Sequence, residues 1–373
     1  MTDAALYGGL LLAVAACAAG IAHRVGMWRR GRRAGVEGSL GGRIGAALGE
    51  VLTHRRIRRD ALPGLIHGFL FFPVLFLAVA MAWEHVLRAP LPLDGFDPAY
   101  RFVLDLAGLL LLGGVAAAGI RRFVGRPSRL DDTGWQDAAA LALFALLAAS
   151  GLMITALRMA VVAAAGGAPP PWMTPGAAAT AAVLLAAGGA GVLDQAALAA
   201  WLPWAYWTHA GVTIFLIAWL PLGPLRHVIY GFLNIVLAPR GPKAALIPLD
   251  FTAEPPWLGA RVPDDLTWKQ RLDLDACTRC GRCQDACPAW AAGRPLSPKR
   301  FIQALRGAVA AGPGDARLVP DAVPEDVLWS CTTCGACAEV CPVRITVVDK
   351  IVDRKSTRLN SSHSRASRMP SSA

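Results

Sequence analysis

Cys277-Thr-Arg-Cys280-Gly-Arg-Cys283-Gln-Asp-Ala-Cys287-Pro288 and Cys331-Thr-Thr-Cys334-Gly-Ala-Cys337-Ala-Glu-Val-Cys341-Pro342 are two copies of one spacing, C-x2-C-x2-C-x3-C-P. Three closely spaced thiolates wrap three corners of one iron–sulfur cube. The fourth, after a longer step and before a proline, turns away and reaches the other cube. The spacing therefore predicts two [4Fe–4S] clusters with crossed ligands. Cluster A takes Cys277, Cys280, Cys283 and Cys341; cluster B takes Cys331, Cys334, Cys337 and Cys287. Gly281 and Gly335 follow the second cysteine of each run, where a missing side chain lets backbone approach the sulfides. Zinc is the rival, since eight thiolates fill two tetrahedral sites. A zinc knuckle, however, pairs C-x2-C units across a longer loop, and neither run has that form.

This is the run of two-cluster bacterial ferredoxins, but the 43 residues between Cys287 and Cys331 exceed a minimal ferredoxin spacer. Within them, FIQALRGAVAAG (301–312) reads as a helix with a glycine stop. Residues 270–353 are thus expected to form an expanded, α-helical dicluster module, reached through a polar linker over 241–269. Trp290 and Trp329 lie beside the runs and are expected to pack around the clusters.

Towards the N-terminus the composition changes. The chain is 55% hydrophobic, above the 45–50% apolar content of ordinary soluble domains, and the excess is concentrated in residues 1–235. A bilayer helix needs about 20 apolar residues, and five stretches qualify: 4–22, 64–87, 102–120, 137–158 and 205–224. A sixth, 177–192, is short and rich in Ala and Gly, and is expected to belong to a long loop or re-entrant element. The arginine-rich connections at 24–63 and 121–136 point to the cytoplasm; 88–101 is balanced and 159–204 has no Lys or Arg, so both point outward. Five spans satisfy every loop and leave the cysteine-rich part cytoplasmic. Asp3 and the lack of a basic leader argue for a retained first helix rather than a cleaved signal.

The net charge of +11 follows from arginine clusters beside apolar runs, which set membrane orientation, so a nucleic-acid partner is not expected. Of nine cysteines, eight lie in the two runs; Cys17 sits alone in an apolar helix as a small hydrophobe.

Histidine inside a membrane helix needs a partner or a ligand. His67 and His85 lie 18 residues apart on the second predicted span, and His209 and His227 lie 18 apart at the fifth. Eighteen residues make five helical turns and about 27 Å, close to the hydrocarbon thickness. In antiparallel helices His67 and His227 would share the cytoplasmic depth, and His85 and His209 the outer depth. Each level could hold a b-type haem between two imidazoles. His23 and His54 read as parts of the basic segments. From about residue 354 a Ser/Arg-rich stretch without periodicity resembles adapter- or vector-derived sequence; it is expected to be disordered, with the natural chain continuing beyond 353.

Residues 1–240, on these histidines and the segment PLGPLRHVIYGFLN (221–234), resemble the cytochrome b (gamma) subunit of respiratory nitrate reductase and related anchors of heterodisulfide-reductase-like complexes. That resemblance implies five helices and two haems b. In that family the outer ligand on the second helix falls near Phe76-Leu77 of this chain, so His85 would have to substitute for it. Residues 270–353 resemble the iron–sulfur module of heterodisulfide reductases and of the anaerobic glycerol-3-phosphate dehydrogenase small subunit.

The expected architecture is mainly α: a five-helix membrane bundle followed by a helical dicluster ferredoxin domain. The expected function is electron transfer in the bacterial inner membrane, between a cytoplasmic redox protein or flavoprotein and the quinone pool, through two [4Fe–4S] clusters and one or two haems b. Two alternatives stay open: a haem-free anchor for the iron–sulfur module, and a heterodisulfide-reductase-like enzyme whose catalytic domain lies beyond this sequence.

Overall fold

The computed structural model describes residues 2–36, 38–83, 97–164, 174–189, 195–240, 259–312 and 317–352. Among them the chain is helices and turns, with one isolated backbone bridge between Arg32 and Thr267. Two compact units emerge. The first gathers Met1–Cys17, Ile57–Arg126 and Thr133–Gly223; the second gathers Ala18–Arg56, Pro127–Asp132 and Pro224–Ala373. The second unit thus includes segments that read, in sequence, as connections between membrane helices.

The first unit is built on α3 (Ala61–Ala82), α4 (Asp97–Gly119), α5 (Trp135–Ala164), α6 (Pro175–Gly189) and α7 (Gln195–Trp219), together with the start of α1 (Thr2–Arg29). Four segments are long and apolar enough to cross a membrane: Ala4–Arg29, Ala61–Ala82, Ala99–Val124 and Trp135–Ala163. A fifth span requires Ala196–Trp219 and Pro224–Val236 to count as one broken helix. Apolar side chains on these helices point outward, with Leu11 71% and Leu12 74% exposed, as a lipid-facing surface requires. Inside, small residues let helices approach. A Cβ on Gly114 would come within 2.9 Å of Phe69 on α3, and Ala156, Ala160, Ala177 and Ala181 form a buried seam with Leu157 and Leu198.

The stretch expected to be a loop or re-entrant element is the helix α6. Its 15 residues are too few to span a bilayer. The buried carboxylate of Asp105 on α4 accepts from the backbone N–H groups of Gly176 (2.7 Å) and Ala177 (3.0 Å). Those amides open the helix, where no intrahelical acceptor exists, so Asp105 caps α6 from a neighbouring helix.

In the second unit, the arginine-rich 24–63 connection is largely helical. α1 runs on to Arg29, and α2 (Leu40–Thr53) follows. Arg43 is buried in α2 and donates to the carbonyls of Val236 (2.8 Å) and Ala238 (2.6 Å) at the end of α8 (His227–Val236). Helix α9 (Trp268–Ala276) starts in a capping box. Thr267 N–H donates to Gln270 Oε1 (3.0 Å), and Gln270 N–H donates to Thr267 Oγ1 (3.1 Å). Short helices α10 (Arg282–Asp285), α11 (Pro288–Ala291), α13 (Glu325–Trp329) and α14 (Ala336–Glu339) flank the cysteine runs, with α12 (Pro298–Ala310) between them. Ser297 caps α12, Pro298 occupies its first turn, and Gly312 at φ 93° follows its end as the expected stop.

A buried ion network ties α8, α9 and the chain after the second run together. Asp273 accepts from Lys269 (2.6 Å) and Lys350 (2.5 Å), and Lys269 also reaches Asn234 Oδ1 (2.8 Å). Asn234 Nδ2 in turn donates to the Val343 carbonyl (2.8 Å). Burial disfavours the Asp273 carboxylate, but the two lysines outweigh it and hold its carboxyl below the usual range. Removing one partner of such a group strands the others. Asp273→Asn is expected to destabilise the second unit by about 3–5 kcal/mol, read as a lower urea midpoint by tryptophan fluorescence. The contribution of Asp273 is fully present above about pH 4 and is lost as the pH falls through the depressed folded-state value.

Candidate functional site

The two cysteine runs fold alike. In each, the residue two after the first cysteine adopts a left-handed conformation: Arg279 at φ 56° and Thr333 at φ 57°. The glycine after the second cysteine does the same, Gly281 at φ 75° and Gly335 at φ 76°, and opens the helical turn α10 or α14. This reversal points backbone N–H groups at sulfur. Thr333 N–H lies 3.4 Å from Cys331 Sγ, and the Arg279 N–H bonds the Cys277 sulfur. At Gly281 space also excludes a side chain, because a Cβ would stand 2.5 Å from the Arg129 carbonyl. The runs diverge after their prolines. Pro288 leads into α11, whereas the second run turns at Arg344 (φ 56°), and Ile345 N–H donates to Cys341 Sγ at 3.3 Å.

Cys277, Cys280, Cys283 and Cys341 line one pocket, partly open to solvent, whose wall also includes Cys337, Lys299, Ile302 and Val347. The fourth cysteine of the second run therefore sits with the first three of the first run. Burial and then the neighbouring thiols Cys277, Cys280, Cys341 and Cys337 push the Cys283 thiol far up. Cys341 is pushed up to about 12, by burial first and by Cys280 and Cys277. Cys337 is likewise pushed up to about 12, by burial first, then by Cys331, Cys287 and Cys334. Cys341 is thus felt most by thiols of the first run, and Cys287 is among the thiols felt by the second.

Buried thiols that repel each other's ionised forms fit a group that brings positive iron among them. Among the described residues, no three His, Cys, Asp or Glu side chains lie close enough to hold one metal ion.

Segments far away in sequence cover these loops. Arg56 donates to the carbonyls of Glu339 (3.0 Å) and Cys341 (3.1 Å) and pairs with Glu50 at 2.8 Å. Arg344 also pairs with Glu50 (2.5 Å), and Arg282 donates to the Arg56 carbonyl (2.8 Å). On the other run, Arg129 pairs with Asp285 (3.1 Å). Buried Lys299 donates to the Arg129 carbonyl (3.0 Å), Asp131 (2.5 Å) and Asp132 (3.2 Å). The side-chain hydrogen bonds from Lys299 and then Arg300 hold the Asp131 carboxyl at about 2. Neither Arg56, Glu50 nor Lys299 carries a local motif; only a charged residue in a basic segment is visible in sequence. Gln303, whose Nε2 lies 3.1 Å from Cys277 Sγ, is hidden in the same way within the expected spacer helix.

The histidines divide differently. His67 lies in α3, its ring stacked on Phe71 with centroids 6.1 Å apart. His209 lies in α7, and its Nδ1 is 3.1 Å from the Leu147 carbonyl and 3.0 Å from Ser150 Oγ on α5. His227 is the first residue of α8, and its Nδ1 is 2.9 Å from the Pro224 carbonyl. A carbonyl can only accept, so in both rings Nδ1 carries the proton and Nε2 is the nitrogen that can take a metal. The expectation that the 18 residues from His209 to His227 run as five regular helical turns is corrected. Helix α7 ends at Trp219, and a turn and a short 3₁₀ segment, Pro224–Arg226, precede α8. Pro221 and Pro224 cannot donate backbone hydrogen bonds, which accounts for the break. His85 lies outside the described residues, as do 241–258 of the linker and the Ser/Arg-rich tail. His54 is a buried residue in left-handed conformation ending α2, and His23 is exposed.

Residues 273–345 match the family model of the 4Fe-4S dicluster domain. No solved structure matches the chain. The EtfAB:quinone oxidoreductase of Syntrophomonas wolfei is 30% identical over 80% of this chain and 46% of its own length. The "Probable iron-sulfur-binding oxidoreductase FadF" of Bacillus subtilis is 26% identical over 83% of this chain and 49% of its own. A polypeptide of the dihydromethanophenazine:CoB–CoM heterodisulfide reductase of Methanosarcina barkeri is 37% identical over 23% of this chain and 24% of its own. The chain spans about half the length of the two relatives that match most of it; it contains a 4Fe-4S dicluster domain and is similar to iron–sulfur oxidoreductases along most of its length.

Proposed function

We propose that this chain is a membrane-bound electron-transfer protein that passes single electrons between a cytoplasmic redox protein or flavoprotein and a membrane quinone. Cys277, Cys280, Cys283 and Cys341 hold cluster A, and Cys331, Cys334, Cys337 and Cys287 hold cluster B. The observation that carries this reading is the meeting of Cys341 with Cys277, Cys280 and Cys283 around one pocket. Crossed ligands tie the two runs together and keep the clusters within short reach of each other. When bound, the clusters supply a one-electron relay, and no side chain has to make or break substrate bonds. The residues of the chain position that relay. The left-handed turns at Arg279 and Thr333 aim N–H groups at sulfur, while Arg56, Arg129 and Lys299 brace the loops.

Cluster B is the port for the soluble partner. Thr332, Thr333 and Cys334 are exposed, as is Trp329 beside them, whereas the cluster A loop lies under the Arg129 and Arg56 segments. A cytoplasmic position for both clusters is supported by the company they keep. Segments 18–56 and 127–132, whose arginines mark the cytoplasmic side, belong to the same compact unit. The quinone as membrane partner is supported by the printed activity of the Syntrophomonas relative.

Haem b is proposed on the placement of histidines in or beside apolar helices, His67 in α3, His209 in α7 and His227 at the start of α8, with His67 and His227 for the inner level and His85 and His209 for the outer. The fixed Nδ1 protons of His209 and His227 suit it.

Anaerobically purified protein is expected to contain iron and acid-labile sulfide in equal amounts, enough for two cubes per chain, and to give interacting cluster signals by EPR on reduction. Cys341→Ser is expected to perturb the cluster of the first run rather than that of its own run; a change confined to the cluster of the second run overturns the crossed assignment. Dithionite-reduced membranes are expected to show a b-type α band and a pyridine haemochrome, and His227→Ala is expected to remove at least half of it. A spectrum without that band overturns the haems and leaves the clusters standing.

A further inference from the structure

Helix α12 fills the spacer that a minimal ferredoxin lacks, and one of its side chains touches the site. Gln303 Nε2 donates to Cys277 Sγ at 3.1 Å. An amide can present either end to a neighbour, and here the choice is fixed one turn further on. Arg306 Nη1 donates to Gln303 Oε1 at 3.3 Å, which leaves the nitrogen end for the sulfur. The i,i+3 spacing puts both on one face of the helix. In the second run the Cys331 sulfur receives a backbone bond from Thr333 N–H at 3.4 Å. Cys277 also has its own backbone donor, the N–H of Arg279. Its sulfur therefore receives both a side-chain bond and a backbone bond.

The charge around Cys277 leans the same way. Arg306 acts on the Cys277 sulfur, and its surroundings include Arg24 and Arg279 against one carboxylate, Asp275. Asp275 accepts from Trp28 Nε1 at 2.8 Å and lies 3.5 Å from Arg24. Positive charge thus exceeds negative charge beside this corner of the site.

An electron added to a cysteine-ligated cube raises the negative charge on its sulfurs, and donors to sulfur stabilise that reduced form. We infer that Gln303, positioned by Arg306, raises the reduction potential of cluster A. The inference rests on the ligand assignment proposed above.

The test is an EPR-monitored redox titration of the full-length protein in detergent, with Cys334→Ser used to mark the cluster B signal. Wild type is expected to show two midpoints. Gln303→Leu, which removes the donor and keeps the bulk, is expected to move the cluster A midpoint to more negative potential and leave that of cluster B in place. Gln303→Glu is expected to move it further, and Arg306→Ala less, since the amide then turns freely. Each variant is scored at unchanged iron and sulfide content, so a folding defect is separated from tuning. Unchanged midpoints in Gln303→Leu and Arg306→Ala at full cluster content overturn the inference and leave the ligand assignment intact. A wild-type protein with one cluster overturns the assignment and the inference together.

Discussion

Sulfur atoms that must ionise to bind iron are buried here beside one another, and this sets the demands on the rest of the second unit. Thiols at about 12, as at Cys337 and Cys341, remain protonated at neutral pH unless a positive core enters among them. The loops are therefore shaped by what surrounds them, not by attraction between their cysteines. Helix α9 delivers Cys277 at its C-terminal end, and its start is fixed by the Thr267–Gln270 box. Gly281 turns left-handed under the Arg129 backbone. Ser297 both caps α12 and donates to Gln284 behind the first run at 2.6 Å. Asp273, Lys269, Asn234 and Lys350 lock the return of the chain after Cys341. Each of these contacts fixes backbone beside the cysteine runs.

The basic segments acquire a second physical role. Arginines beside apolar runs are read as orientation signals, because charge resists transfer across a bilayer. Arg43 and Arg56 also satisfy backbone carbonyls, at the end of α8 and in the second cysteine run. Lys299, nearly without exposure, meets Asp131, Asp132 and a carbonyl. A guanidinium with several fixed acceptors keeps its charge while losing water. Charged residues beside apolar runs therefore also brace the cysteine loops.

Legibility in the sequence follows the range of the interaction. The cysteine spacing, the stop at Gly312 and the apolar stretches are local patterns, and they announce the cluster loops, α12 and the long helices. Whether α7 and α8 make one broken span or two elements depends on prolines at 221 and 224, whose effect on a helix end is local but whose consequence for span number is not. Segment 175–189 lacks the length of a span, and its helix is closed at the start by Asp105 from 71 residues away. No window of sequence contains that pair. Helix α2 falls within a stretch that reads as a basic loop, because Arg43 lies on its buried face, against the pattern of an apolar stripe. Glu50, Arg56 and Arg344 meet only because the chain returns after nearly three hundred residues.

The two cysteine runs repeat each other in backbone, so the differences between them must come from what is laid over the repeat. The second run keeps Thr332, Thr333 and Cys334 at the surface. The first receives Arg129 over Gly281, Arg282 held by the Arg56 carbonyl, and Gln303 on the Cys277 sulfur. Solvent exposure and hydrogen bonding to sulfur are the two levers by which a protein separates the potentials of identical cubes. Both differ here, and both differ through segments that a minimal two-cluster fold lacks: the connections between membrane helices and the spacer helix α12. A pair of equivalent clusters would let an electron sit on either. Covering one run and leaving the other open makes the two sites unequal while their backbone turns stay alike.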